Sequence, residues 1–309
     1  MSIIYVGDIH GREKNPFKKA SIDFLNWLYE NHKEDTIIQG GDLFDASSHH
    51  HSFINEIVKV LKKFKDFRVV TGNHDQSRRL GSILKPLQNY NNITIYEEET
   101  DVEIEGIHFK ILPYITSFKN YGSIETEEDK EIDYSLSHFT PIQEAWGDEG
   151  VELKFKVKVA HIFSHIHRHR EFKDRFDNQV LISGAAINTR FGEQDWEKNI
   201  FKIEKTEYTK IPVPQTFTYE TIEFGEEPES KNNILNIKNA PSYKDVYDRY
   251  NNYFVRETGV ELSKVGVEGL KADMEDRKTI PDKFLKFAEL TGINDQEVID
   301  KSLKYLKFI

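Results

Sequence analysis

The sequence predicts an α+β chain built on two sheets, with a small C-terminal α/β or helical appendage. Three observations carry this. Short apolar runs alternate with amphipathic helical stretches through the first 70 residues or so. Period-two alternation then takes over, as a second sheet requires. Finally, five apolar runs end in compact polar clusters, and 309 residues suffice for one large core plus an appendage.

The first run, Ile3-Ile4-Tyr5-Val6, leads into Gly7-Asp8-Ile9-His10-Gly11, and Phe17 to Asn31 then places Ile22, Leu25, Trp27 and Leu28 on a helical face. Thr36 to Gly40 is a buried strand that delivers Asp42 behind two glycines, which leave room for a group larger than water beside the backbone. A helix from about Ser52 to Phe64 completes a βαβ opening. His49, His50 and His51 precede it. They are expected to form a solvated loop, because consecutive residues converge poorly on one ion.

Phe67-Arg68-Val69-Val70 runs into Thr71-Gly72-Asn73-His74-Asp75, with a helix expected from Gln76 to near Pro86. From Ile93 the alternation Ile93, Ile95, Val102, Ile104 turns at Glu105-Gly106 into Ile107, Phe109, Ile111, a hairpin that opens the second sheet. Tyr134 to His138 and Val157 to His167 bring the last two clusters, Ser137-His138 and Ser164-His165-Ile166-His167. Leu181 to Gly184 and Ile200 to Ile203 are further strands, with Thr189 to Glu193 as a loop between them. Pro212 and Pro214 mark an extended connector, which places the boundary between a domain of residues 1–215 and a C-terminal region of residues 216–309. In the latter, Thr218 to Phe224 alternates as a strand, and Tyr243 to Glu257, Pro281 to Leu290 and Glu297 to Phe308 carry helical stripes suited to packing or to docking a second protein.

Composition narrows the chemistry. The absence of cysteine leaves oxygen and imidazole as metal donors, which points to Mn, Mg, Fe or Zn. No apolar run approaches the ~20 residues that cross a bilayer. Met1 meets the first strand at once, so a cytoplasmic protein without a targeting segment is expected. A net charge of -11 argues against coating nucleic acid by bulk positive potential. Yet Arg12, Arg78, Arg79, Arg168, Arg170 and Arg190 follow the clusters directly and suggest a basic rim around an acidic site.

Asp8 and His10, two apart at a strand end, are placed to share an ion, and His165 and His167 repeat the spacing. With Asp42 bridging two ions, Asp8, His10 and His167 complete one shell and Asn73, His138 and His165 the other. Such a pair clamps a phosphate and lowers the pKa of a bound water, the requirements of phosphate ester hydrolysis. His74, beside Asn73, is placed to reach substrate as the catalytic acid or transition-state stabiliser, with Asp75 to orient it.

Gly7-Asp8-Ile9-His10, Gly41-Asp42-Leu43-Phe44-Asp45, Gly72-Asn73-His74-Asp75, Ser137-His138 and Ser164-His165-Ile166-His167 resemble the five motifs of the calcineurin-like metallophosphoesterases, with Ser164 where glycine is usual. The Phe44-Asp45 ending, and Arg190-Phe191-Gly192-Glu193 after Ile182-Ser183-Gly184-Ala185, look like the SbcD type of DNA repair nuclease. The resemblance implies a β-sandwich of two mixed sheets flanked by helices and two Mn ions. It also implies exonuclease action on duplex ends and endonuclease action on single strands. The implied assembly is a homodimer within a heterotetramer that includes an SbcC-type coiled-coil ATPase. The compact C-terminal region would suit a phage-encoded recombination nuclease acting in the host cytoplasm. A small-molecule phosphodiesterase or phosphatase using the same metal site is the alternative.

Overall fold

Ile3, Ile4, Tyr5 and Val6 are all buried, which a strand achieves only when both of its faces are covered. In the computed structural model, which describes residues 2–77, 81–114, 123–125, 131–145, 150–190, 193, 195–229, 233–241, 243–250 and 253–260, this strand is β1 (Ile3–Val6). Its side chains divide with period two. Ile4 and Val6 join a core with Phe24, Leu25 and Leu28 of helix α1 (Phe17–His32) and with Phe53, Ile57 and Leu61 of helix α2 (His51–Leu61). Ile3 and Tyr5 join a second core with Ile38, Phe109, Tyr134 and Leu136. The first sheet therefore lies between a helical layer and a second sheet.

Parallel neighbours need a crossover, and α1 and α2 supply it between β1, β2 (Thr36–Gln39) and β3 (Asp66–Val70). No helix starts at Gln76. β4 (Gln76–Ser77) and β5 (Gly81–Ser82) pair antiparallel, and a single 3-10 turn follows at Lys85–Asn89. Gly81 at φ +78° interrupts helical geometry, and the apolar side chains Ile83, Leu84 and Leu87 come only after it. β6 (Ile93–Tyr96) then pairs parallel with β3 at the edge of the first sheet. Ile93 and Ile95, expected in the second sheet, thus belong to the first, because alternation fixes a strand's faces without fixing its partner.

The second sheet starts with the hairpin of β7 (Thr100–Ile104) and β8 (Ile107–Leu112), as expected. Glu105 (φ 49°) and Gly106 (φ 76°) both adopt positive φ at its two-residue turn. A short pair, β9 (Ser123–Ile124) with β11 (Glu152–Leu153), flanks the run to β10 (Tyr134–Ser137) and β12 (Ala160–Phe163). β13 (Arg170–Lys173) and β14 (Gln179–Ile182) complete a sheet of order β13-β14-β12-β10-β8-β7, with β8, β10, β12 and β14 parallel. β15 (Asn199–Ile203) returns antiparallel to β1, and β16 (Tyr208–Pro212) pairs with it, so Ile211 and Pro212 lie in a strand and not in a connector. The first sheet has the order β16-β15-β1-β2-β3-β6. Both sheets are mixed, as expected, and with α1 and α2 over the first sheet the chain is of the α+β class.

The chain divides into two units, residues 1–219 with 232–234, and residues 220–231 with 235–309. The smaller one contains a sheet of order β17-β18-β19, formed by β17 (Tyr219–Glu223), β18 (Ile234–Ala240) and β19 (Phe254–Val260), and helix α3 (Tyr243–Tyr250). Its core gathers Ile222, Leu235, Ile237, Ala240, Val246 and Tyr250. The expected helix to Glu257 stops at Tyr250 and gives way to β19, where the β-branched Val255 suits an extended strand. The stripes at Pro281 to Leu290 and Glu297 to Phe308 lie outside the described residues. Among the described residues no helix is long and apolar enough to cross a membrane.

Candidate metal centre

The carboxyl ends of parallel strands from both sheets meet at one place, where unpaired strand-end backbone and short loops can present polar side chains. β1 delivers Asp8 and His10, β2 Asp42, β3 Asn73 and His74, β10 His138, and β12 His165 and His167. Extended geometry ends at Ile9, whose side chain turns into the helix-side core. His10 (φ 49°), Asp42 (φ 54°) and His165 (φ 81°) then adopt left-handed backbone. Each such residue costs on the order of 1–3 kcal/mol, and here that strain aims three side chains inward. The glycines make space for them: a Cβ on Gly41 would meet the His138 ring at 2.1 Å, and one on Gly72 would meet Asp42 Oδ1 at 2.1 Å.

The side chains gather in two halves. In one, Asp8 Oδ2 lies 3.8 Å from His10 Nε2 and 3.6 Å from His167 Nε2, and these two nitrogens are 2.9 Å apart. In the other, Asp42 Oδ2 lies 3.2 Å from His138 Nε2, and Asn73 Oδ1 is 3.2 Å from His138 Nε2 and 2.9 Å from His165 Nδ1. Asp42 Oδ2 is also 3.6 Å from His10 Nε2, which puts this carboxylate between the halves. Close convergence of donors occurs for Asp8, His10 and His167, for Asp42, His138 and His165, and for His10, Asp42 and His74. His165 and His167 therefore serve different halves despite their spacing.

The donor set fits a divalent cation. Asp8 Oδ2 is buried without a hydrogen-bond partner, an arrangement that is costly unless a cation faces it. Burial pushes Asp42 upward, yet the charge and hydrogen bond of His138, together with the neighbouring His10 and His74, outweigh it and hold the carboxyl well below the usual carboxylate range. Burial disfavours the His138 cation, but Asp42 and Asp8 raise its pKa to about 10, so a proton can take the place of a cation there. His165 goes the other way, to about 4, through burial and the neighbouring His138. Nδ1 of His138 faces the Gly40 carbonyl at 2.9 Å; a carbonyl only accepts, so Nδ1 carries the proton and Nε2 faces Asp42.

His74 is exposed on a cleft of about 550 Å³ that also shows His10, Asp42, His165 and His167. Its Nδ1 donates to the Asp45 carbonyl at 2.7 Å, leaving Nε2 as the free ring nitrogen. The Asp45 carbonyl, not Asp75, thus orients it. Asp75 is buried and accepts from the backbone N–H groups of Asp42, Phe44 and Gly72, which ties the third cluster to the second. Burial and the neighbouring Asp42 raise its pKa to about 7. Sequence adjacency suggested a partnership with His74, but the turn sends the two side chains apart.

The arginines are distributed less simply than a free basic rim. Arg12, Arg168 and Arg190 all line the cleft. Arg12 pairs with Asp45 at 2.8 Å and covers Phe17, Arg190 contacts Glu193 at 3.2 Å, and Arg170 pairs with Glu144. Arg78 and Arg79 lie outside the described residues. The histidine run also departs from expectation. His49 is packed between Phe44 and Phe53 and pairs with Glu13 and Asp45, while His50 caps α2. His50 and His51 are exposed as foreseen, although His51 opens α2 instead of lying in a loop, while the acid at Asp45 and the apolar pair give His49 a site that sequence spacing does not reveal.

Three further groups escaped the sequence reading as participants. Glu193, signalled only as the end of a four-residue motif, receives His167 Nδ1 at 2.8 Å. Lys198, buried by the fold, sits 3.1 Å from the same carboxylate. Trp196 forms part of the cleft wall, and no local pattern announces it. Burial raises and the His167 contact lowers the Glu193 pKa, and the net effect is downward.

The sequence profile of the calcineurin-like phosphoesterase family matches residues 1–184. The DNA double-strand break repair protein Mre11 of Sulfolobus acidocaldarius is 22% identical over 220 residues, which cover 64% of this chain and 57% of that protein. The protein of the same name from Saccharolobus solfataricus is 33% identical over 87 residues, 26% of this chain and 23% of its own length. The chain thus spans little more than half of the first relative. Among solved structures, a novel archaeal phosphodiesterase aligns over 69% of this chain and 100% of its own at 17% identity, with a TM-score of 0.39.

Proposed function

We propose that this chain, which belongs to the calcineurin-like phosphoesterase family, is a binuclear-metal phosphodiesterase that cleaves DNA. The observation that carries the reading is the position of Asp42 between two groups of donors delivered from four other strand ends, beside an unpartnered buried oxygen of Asp8. Asp8, His10 and His167 would hold one divalent ion and Asn73, His138 and His165 the other, with Asp42 shared. Mn is the first candidate, ahead of Mg, Fe and Zn. When bound, such ions supply Lewis acidity and a water of lowered pKa.

The chain's own residues do the rest. Asp45 holds the Nδ1–H of His74 through its carbonyl, so that Nε2, protonated when the ring is an imidazolium, is available to stabilise charge on a phosphate and to give its proton to the leaving oxygen, leaving the neutral ring. Arg168 and Arg190 line the same cleft, where they suit phosphates on either side of the scissile one. DNA as substrate is favoured by the two Mre11 relatives, one of them similar over 64% of this chain and the other over 26%. On this reading the chain is an SbcD-type nuclease. It removes nucleotides from duplex ends, cuts single strands, and works in the cytoplasm in break repair or recombination. An SbcC-type ATPase docks on the region 216–309, and a homodimer of this chain sits within the heterotetramer.

One observation favours the alternative, a small-molecule phosphodiesterase or phosphatase: Arg12 and Arg190 spend charge on Asp45 and Glu193. The deciding experiment is Mn-dependent hydrolysis of linear duplex DNA, with and without a candidate ATPase, alongside a small chromogenic diester. Turnover of DNA supports the nuclease; turnover of the diester alone selects the alternative.

A further inference from the structure

Glu193 is a fully buried carboxylate whose two oxygens face different partners. Oε1 accepts from His167 Nδ1 at 2.8 Å and from Thr189 Oγ1 at 2.9 Å, and lies 3.2 Å from Arg190 Nε. Oε2 accepts from the Thr189 backbone N–H at 2.9 Å and from Lys198 Nζ at 3.1 Å. An ionised carboxylate can only accept, so the proton of His167 sits on Nδ1 and the lone pair of Nε2 is left facing Asp8 and His10. A buried carboxylate is tolerated when a counter-charge and hydrogen bonds compensate it, and Lys198, its side chain 4% exposed, supplies the charge.

Among the described residues, the other half of the centre shows no carboxylate hydrogen-bonded behind an imidazole in this way. Behind His138 stands the neutral carbonyl of Gly40, at 2.9 Å from Nδ1. A carboxylate behind an imidazole fixes the tautomer and makes the opposite nitrogen a better donor than a carbonyl does. The buried pair of Glu193 and Lys198 is a specific construction, since an unspecialised core would use an apolar pair of the same volume at no loss of stability.

We infer that Glu193 is a positioning residue that locks His167 as the Nδ1–H tautomer and strengthens Nε2 as a donor, so that the half formed by Asp8, His10 and His167 binds its divalent ion more tightly. This deepens the metal reading proposed above and rests on it. The same carboxylate oxygen touches Arg190 on the cleft wall, so the loop that braces the metal ligand also braces a cation placed for substrate phosphate.

The test is Mn titration of the full chain by calorimetry and electron paramagnetic resonance, comparing wild type, Glu193→Gln and the double variant Glu193→Gln with Lys198→Met. The double variant removes the ammonium that the single change leaves buried without its counter-charge, and circular dichroism checks that each is folded. We expect two Mn ions in the wild type, with about 10- to 100-fold weaker binding of one ion and unchanged binding of the other in both variants. A folded double variant that binds both ions with wild-type constants overturns the inference and leaves the metal centre standing. A wild type that takes up no Mn overturns both. Nitrogen-15 spectra of metal-free wild type give a second reading that needs no variant: His167 must show a protonated Nδ1 and a bare Nε2, and the reverse tautomer overturns the inference.

Discussion

The Nε2 atoms of His10 and His167 face each other at 2.9 Å, with Asp8 Oδ2 within 3.8 Å of both. Two imidazole lone pairs and a buried carboxylate oxygen repel one another unless a cation lies among them. Asp42 stands next to this group and next to His138, so removing its charge strikes both halves. Asp42→Asn is expected to weaken both Mn ions by at least about 10-fold, whereas Asp8→Asn weakens chiefly one. Metal analysis after dialysis against graded Mn checks it; an Asp42→Asn protein that retains both ions would sink the bridging role.

His74 stands in the cleft with its ring edge-on to His10, 4.9 Å between centroids, and its Nδ1 fixed on Asp45. A group that stabilises the transition state from that position leaves metal binding alone. His74→Ala is expected to cut kcat by ~10²–10⁴ with both ions retained. Should the variant lose an ion instead, His74 is a ligand, as its proximity to His10 and Asp42 would also allow.

Away from the metal centre, His161 lies buried between Ser135 Oγ at 2.6 Å and the Phe155 carbonyl at 3.2 Å, with Asp174 at 4.0 Å. Burial lowers its pKa to about 4, and Asp174 opposes that only in part. The sign follows from proton uptake: between the unfolded value near 6.5 and about 4, the unfolded chain binds a proton that the folded chain refuses. Stability contributed by neutral His161 is therefore complete above 6.5 and falls as pH drops through this window, by up to about 3 kcal/mol at 1.36 kcal/mol per pH unit. Urea unfolding of wild type and His161→Gln between pH 4 and 7 should show a flatter profile for the variant. Parallel profiles would remove His161 from the acid response.

The strand ends were legible because each combines an apolar run with glycine, carboxylate and imidazole, and burial of both strand faces leaves the carboxyl end as the place where those groups emerge. All seven expected donors come together for that reason. What local pattern does not encode is partnership across distance. Ile93 and Ile95 alternate correctly but pair with β3 in the first sheet. Asp75 neighbours His74 in sequence yet serves the backbone of Asp42 and Phe44. Glu193 reaches His167 from 26 residues away and accepts from the Thr189 backbone as well.

Arg168 separates the DNA reading from the small-substrate one. Arg12 and Arg190 each touch a carboxylate, whereas Arg168 is exposed on the cleft wall with no ion pair among the described residues. A cation in that state keeps its full charge for a phosphate beyond the scissile one, a phosphate that a polynucleotide has and a small diester lacks. Arg168→Glu is therefore expected to slow cleavage of linear duplex DNA and to reduce the slope of log rate against log salt by about 1, the loss of one phosphate contact. Hydrolysis of a small diester should stay near wild type, since its only phosphate sits at the metals. Equal loss on both substrates would mean that Arg168 supports the centre itself, and the small-molecule phosphodiesterase would then become the better account.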